Sequence, residues 1–305
     1  GVNKDGTADL RMEVIGFKTT RGDAVGVEGN RPTIAAGSND FFFDNFWIFT
    51  DIILTTTATT GLDLDISGTQ IRVKSTNSSG SAGREAATLL TEGVLYDSEY
   101  ISTNGNGVSV TGNNPTFYYC YFHDCDASGT NSGLSLGSLR GALVAYCIFD
   151  TCGDGLETAV SMRAGLFHHL TFYNCSDEAI NLTAPTSSIF EDIIIDNCGV
   201  GISNSVSTTI GIPLIFRNIN FTSNTTDTTN IIKVLNKTTA APEFVDAAGG
   251  DFETGDNMDV TYAWPGGLTS TTVKLGAVQK SGGGGGGTVK AAAGLQSLEG
   301  GFTGI

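Results

Sequence analysis

Cys120-Tyr121-Phe122-His123-Asp124-Cys125 is the first of five copies of one short phrase in this chain. Cys147-Ile148-Phe149-Asp150-Thr151-Cys152, Leu170-Thr171-Phe172-Tyr173-Asn174-Cys175, Ile193-Ile194-Ile195-Asp196-Asn197-Cys198 and Ile219-Asn220-Phe221-Thr222-Ser223-Asn224 follow it. Successive copies end 27, 23, 23 and 26 residues apart, a period that signals stacked repeats rather than a globule with one centre. Within the phrase the first, third and sixth positions are apolar or Cys, Asn224 excepted, and the others are mostly polar. Alternation of period two is the pattern of a strand with one buried face. Phe122, Phe149, Phe172, Ile195 and Phe221 share one position, so stacking would place them about 4.8 Å apart in a core ladder.

Two further registers flank the phrase. Thr116-Phe117-Tyr118, Ala142-Leu143-Val144, Gly165-Leu166-Phe167, Ser188-Ile189-Phe190 and Pro213-Leu214-Ile215 precede it. Gly107-Val108-Ser109-Val110, Gly133-Leu134-Ser135-Leu136, Gly155-Leu156-Glu157, Ala179-Ile180-Asn181-Leu182, Gly201-Ile202-Ser203 and Asn230-Ile231-Ile232 follow it. Three short strands per coil, joined by Gly, Asn, Ser and Asp corners, describe an all-β parallel β-helix. Cys125, Cys152, Cys175 and Cys198 fall on one position of that coil, and Cys120 and Cys147 on another. A ladder of buried thiols fits this spacing, since a free Cys packs as a small apolar residue. Disulfides between rungs would be strained, and a zinc site needs converging ligands rather than a row. No metal or other cofactor is expected.

The pattern extends less regularly toward the N-terminus, through Phe41 to Phe49, Gly61 to Ile66, Ile71 to Lys74 and Gly93 to Tyr96. Residues 1–39, which include the alternating Leu10 to Phe17, are expected to form a cap or first coil, because a solenoid must cover its open end. Residues 40–279 then make up the β-helix with its closing strand. Gly282 to Gly287 centre a linker over residues 280–287, and residues 288–305 form a docking peptide with Leu295, Leu298, Phe302 and Ile305 as its apolar contacts. The chain opens on Gly1 without a signal-peptide pattern, as expected of a processed or partial chain.

Near the C-terminus, Pro242-Glu243-Phe244-Val245 with Asp251-Phe252 leads to Leu275-Gly276-Ala277-Val278-Gln279. This pair resembles the closing signature of secreted and viral right-handed parallel β-helix repeat proteins, and the repeated coil phrase is similar to theirs, so the likeness covers about residues 90 to 279. The resemblance implies a right-handed coil. It implies no single activity, because the group includes polysaccharide lyases, hydrolases and phage tailspikes.

Charge and composition narrow the partners. A formal charge of −16, with no run of Lys or Arg, argues against nucleic acid and anionic membranes. No apolar stretch reaches membrane-span length, so membrane insertion is not expected. Charged residues make up only 16% of the chain, which leaves a Ser, Thr, Asn and Gly exterior suited to an extracellular or virion surface.

Glycan hydrolases on this fold use paired carboxylates, one protonated and one ionised. The candidates here are Asp154 and Glu157 on one coil with Asp177 and Glu178 on the next; Asp154 and Asp177 each follow a ladder Cys by two residues. Stacked acids at corners are also ordinary turn residues, and neither the paired-aspartate pattern of polygalacturonases nor the calcium carboxylates of pectate lyases is present. Arg140, Arg163 and Lys233 leave a lyase arrangement open. His123, His168 and His169 form no recognisable triad.

The sequence therefore predicts a non-catalytic structural or attachment protein, such as a phage decoration or fibre component held by its C-terminal tail. The partners expected are other subunits of a larger assembly, with a surface glycan and a homotrimer as further expectations. A glycan-degrading enzyme and a bacterial surface-layer or adhesin protein are the alternatives.

Overall fold

The structure, a computed structural model, describes residues 12–16, 31–39, 41–43, 47–57, 60–66, 68–79, 85–126, 129, 131–137, 140–158, 163–183, 187–205, 214–230, 233–262 and 271–278. One coil consists of Thr116–Tyr118, Tyr121–His123 and Ser132–Leu136. The next repeats it as Leu143–Ala145, Ile148–Asp150 and Asp154–Thr158. Equivalent strands pair in parallel, so three walls run along the axis. The third wall is a nine-stranded sheet. The first and second walls form one 17-stranded sheet, because Ile189–Asp196 and Ile215–Thr222 each run through both. Met12–Ile15 pairs in parallel with Trp47–Thr50 and so continues the first wall.

The inward face is the apolar alternation of the sequence. Phe122 stacks on Phe149 at 4.8 Å between ring centroids, and Phe149 on Phe172 at 4.7 Å. Ile195 and Phe221 continue that row, while Leu134, Leu156, Ile180 and Ile202 face it from the third wall. Cys125, Cys152, Cys175 and Cys198 are buried as free thiols, as are Cys120 and Cys147. Close approach of the walls demands glycine at one recurrent place. A Cβ on Gly155 would stand 2.4 Å from Phe172 Cδ1 and 2.5 Å from the Ala179 carbonyl oxygen.

The corners depart from the small-residue expectation. Between the first and second walls, Tyr119, Tyr146 and His169 take left-handed backbone at φ 55°, 55° and 53°, followed in the column by Asp192 and Asn218. Such a backbone costs a non-glycine residue roughly 1–2 kcal/mol. It is held by hydrogen bonds from one coil to the next: the N–H groups of Tyr119, Tyr146 and His169 donate to Ala145, His168 and Glu191 carbonyls. The rings also stack, Tyr119 on Tyr146 at 5.1 Å and Tyr146 on His169 at 4.7 Å.

Two segments differ from the sequence reading. In the last coil the third-wall strand is Thr226–Thr229, with Thr228 beside Ile202, not Asn230-Ile231-Ile232. The corner length of the preceding coil is kept there, at the expense of an apolar core residue. The Leu275 to Val278 segment, expected to close the stack, lies on the outside of the second wall instead. Gly276 N–H donates to the Asp192 carbonyl and Ala277 N–H to Thr171 Oγ1 at 2.9 Å each. Phe252 and Ala277 bury against Ile148, while Met258 and Leu275 bury against Ile194. Ahead of them, Asp259–Tyr262 and Thr271–Lys274 form an antiparallel pair outside the solenoid sheets. Gln279, the glycine linker and the docking-peptide positions Leu295, Leu298, Phe302 and Ile305 lie outside the described residues, as do Ile231 and Ile232.

Candidate functional site

The outer face of the third wall carries the sequence-predicted carboxylates. Outward positions there form an in-register row, one residue per coil: Thr88, Ser109, Ser135, Glu157, Asn181, Ser203 and Thr229. Beside it, Ser132, Asp154 and Glu178 occupy successive rungs of a second row. Cysteine spacing aligned Asp154 with Asp177, but the strand pairing sets Leu156 beside Ile180. The chain has one more residue between Cys175 and Ile180 than between Cys152 and Leu156. That extra residue brings Glu178 onto the rung of Asp154 and leaves Asp177 at the corner.

Three of the four candidates thereby converge. Asp154, Asp177 and Glu178 each place a carboxylate oxygen within 4.8 Å of the other two, a donor set that a hard divalent cation would accept. Asp154 is buried; its oxygens accept from the Glu178 backbone N–H at 3.0 Å and from Asn181 Nδ2 at 2.9 Å. Burial raises the Asp154 carboxyl against those bonds. Glu178 is pushed up to about 8 by burial, then by its hydrogen bond to Asp154 and the negative charges of Asp154 and Asp177. At neutral pH the cluster therefore holds a proton, as close carboxylates do. Glu157 stands apart and accepts from Ser132 Oγ and Ser135 Oγ at 3.2 and 3.0 Å. Along the adjoining corner a recess of about 280 Å³ is lined by Thr151, Asn174, Ser176, Asn197, Ser223 and Thr225.

The other candidates lie elsewhere. Arg140 and Arg163 bridge one another on adjacent rungs at the corner before the first wall. His123, on the second wall, meets Glu99 at 2.7 Å and Asp124 at 2.9 Å. Burial opposes its proton, but those two bonds outweigh it and raise the imidazole above its ordinary range. Tyr121 lies against His123 at 4.3 Å between rings and donates to Asp150 Oδ2 at 2.8 Å. His168 and His169 meet at the first corner, with Nδ1 atoms 3.0 Å apart. Sequence reasoning missed the Tyr121 and Asp150 pairing, whose signal was that both stand at outward places of successive phrases.

Residues 53–233 match the family described as the right handed beta helix region. The match covers more than half of the 305 residues, and the chain belongs to this family. No curated protein matches it. Among solved structures, the catalytic domain of Agl-KA is similar at a TM-score of 0.27 and 11% identity, over 70% of this chain and 59% of that one. A likeness of that size carries no activity across.

Proposed function

We propose that the chain is a non-catalytic attachment protein of an extracellular or virion surface, lying along a carbohydrate polymer with the outer face of its third wall. The observation behind this reading is the row from Thr88 to Thr229, an unbroken line of hydrogen-bonding side chains with one on each coil. Rungs about 4.8 Å apart repeat at a spacing comparable to the sugars of an extended chain. Hydroxyl, amide and carboxylate groups supply the donors and acceptors that sugar hydroxyls need. A net charge of −16 favours a neutral or basic polymer over an acidic one. The reading includes docking of residues 288–305 on other subunits of the assembly. Retention on immobilised polysaccharides tests the wall: the doubly substituted Ser135→Ala/Ser203→Ala chain should bind at least tenfold more weakly with its melting temperature unchanged. A wild-type chain that binds no polymer, or a variant that binds equally well, sinks the reading.

A second reading, glycan hydrolysis on the same face, is favoured by the Glu178 carboxyl that stays protonated up to about pH 8. Glu178 would be the general acid, with a neighbouring carboxylate of the cluster as its partner. Reducing ends released by the wild type and lost in Glu178→Gln, with polymer binding retained, would establish it. Binding without release leaves attachment.

A further inference from the structure

We propose that His168 and His169 form a site for a divalent transition metal that prefers square-planar or tetragonal coordination, of which copper(II) is the type. His168 ends the strand Leu166–His168 on the outer face of the first wall, and His169 is the left-handed corner residue that follows. The corner backbone turns the two side chains together, so that their Nδ1 atoms stand 3.0 Å apart with the rings nearly perpendicular. Two metal–nitrogen bonds of about 2.0–2.1 Å across that gap enclose an angle of roughly 90°. That is the cis angle of a tetragonal centre and narrower than a tetrahedral zinc site takes.

The surroundings of the pair bear on this assignment. In the metal-free chain one Nδ1 donates to the other across that gap; a shift of that ring's proton to Nε2 turns both Nδ1 lone pairs to a metal. Asp192, buried on the next rung, places Oδ2 3.8 Å from His169 Nε2. At that distance the carboxylate acts on the ring through its charge and favours the proton on Nε2, the tautomer that frees Nδ1. Asn218 Nδ2 in turn donates to Asp192 Oδ1 at 2.9 Å, fixing that carboxylate. Glu191, paired with His168 in the strand register, is held one rung away by Arg217.

Copper(II) titrated into the full chain at pH 7.5, followed by calorimetry and electron paramagnetic resonance, tests the site. One ion per chain is expected, with hyperfine structure from two nitrogens. His168→Ala and His169→Ala should each weaken binding at least tenfold. Asp192→Asn, which keeps a residue suited to the left-handed corner but removes the charge, should weaken it by less than about tenfold. His123→Ala should leave it unchanged. If His169→Ala disturbs the corner, His168→Ala on the open wall carries the test. Absence of a saturable one-to-one site, or unchanged affinity in His168→Ala, overturns the proposal and leaves the pair as a hydrogen bond between two imidazoles.

Discussion

On the second wall the outward positions of four successive coils are Tyr121, Ile148, Thr171 and Ile194; the matching places on the third wall hold Ser135, Glu157, Asn181 and Ser203. Inward, both walls feed one core, with Phe122, Phe149 and Phe172 on one side and Leu134, Leu156 and Ile180 on the other. The outward difference decides where the rest of the chain goes. After the last coil the polypeptide turns back along the second wall and buries Phe252, Met258, Leu275 and Ala277 against its apolar places. Burial of one large apolar side chain contributes about 1.5–3 kcal/mol, so each of these contacts helps to hold the segment on that wall. From Thr88 to Thr229 the outward row of the third wall offers no such apolar floor, and the described part of this segment leaves it alone. A β-helix of this kind thus separates the wall its own chain covers from a wall left polar, by side-chain polarity at one alternate position.

The comparison can be attacked from its shared core outward. Phe149→Ala removes a ring from the ladder that supports both walls and should cost about 3–5 kcal/mol in denaturant unfolding. A loss below about 1 kcal/mol would mean that the walls do not share a core. Gly276→Ala should free the covering segment alone. Its backbone lies at φ 84°, and a Cβ would stand 2.7 Å from Ile194 Cδ1 and 2.8 Å from Thr171 Oγ1. Limited proteolysis should then cut after residue 239, while circular dichroism keeps its β signal; unchanged protection would show that the cover does not depend on this contact.

Acid and base sharpen the contrast further. Glu178 holds its proton in the folded chain up to about 8, against an ordinary 4.5, so its stabilising contribution is complete below about 4.5 and is lost as pH rises through about 8. His169, lowered to about 4 from 6.5, contributes above 6.5 and loses that contribution as pH falls through about 4. Glu178→Gln should flatten the alkaline side of the stability profile and His169→Asn the acidic side. Exchange of these two effects would refute the proton assignments. At the small end, Thr88→Ala and Ser203→Ala on the third wall should change stability by no more than about 0.5 kcal/mol. A larger loss would make the row part of the scaffold rather than a surface free to bind.

Much of the fold was legible because a solenoid writes its contacts locally. Period-two alternation assigns Phe149 to the core and Asp150 to the outside without knowledge of any neighbour, and repetition then states that the neighbour is another copy. The same logic placed Asp154, Glu157, Asp177 and Glu178 on one outer region. It misaligned two of them, because the Cys ladder and the third wall differ by one residue between Cys175 and Ile180, and strand pairing follows the wall. Tyrosine and histidine at left-handed corners were illegible for another reason: their cost is met by carbonyls on the adjacent coil, and propensity describes a residue only by itself.

The sequence by itself determined the coil, its three strands and its buried ladders, since each follows from alternation repeated at a near-constant period. Tertiary structure alone decided that Ile148 and Ile194 are a floor for the chain's own C-terminal segment. It also decided that carboxylate oxygens of Glu178, Asp154 and Asp177 lie within 4.8 Å of one another, and that His168 and His169 face each other across 3.0 Å. These depend on distances between atoms that no repeat specifies, in the extreme case an N–H at Ala277 that donates to Thr171 across 106 residues of chain.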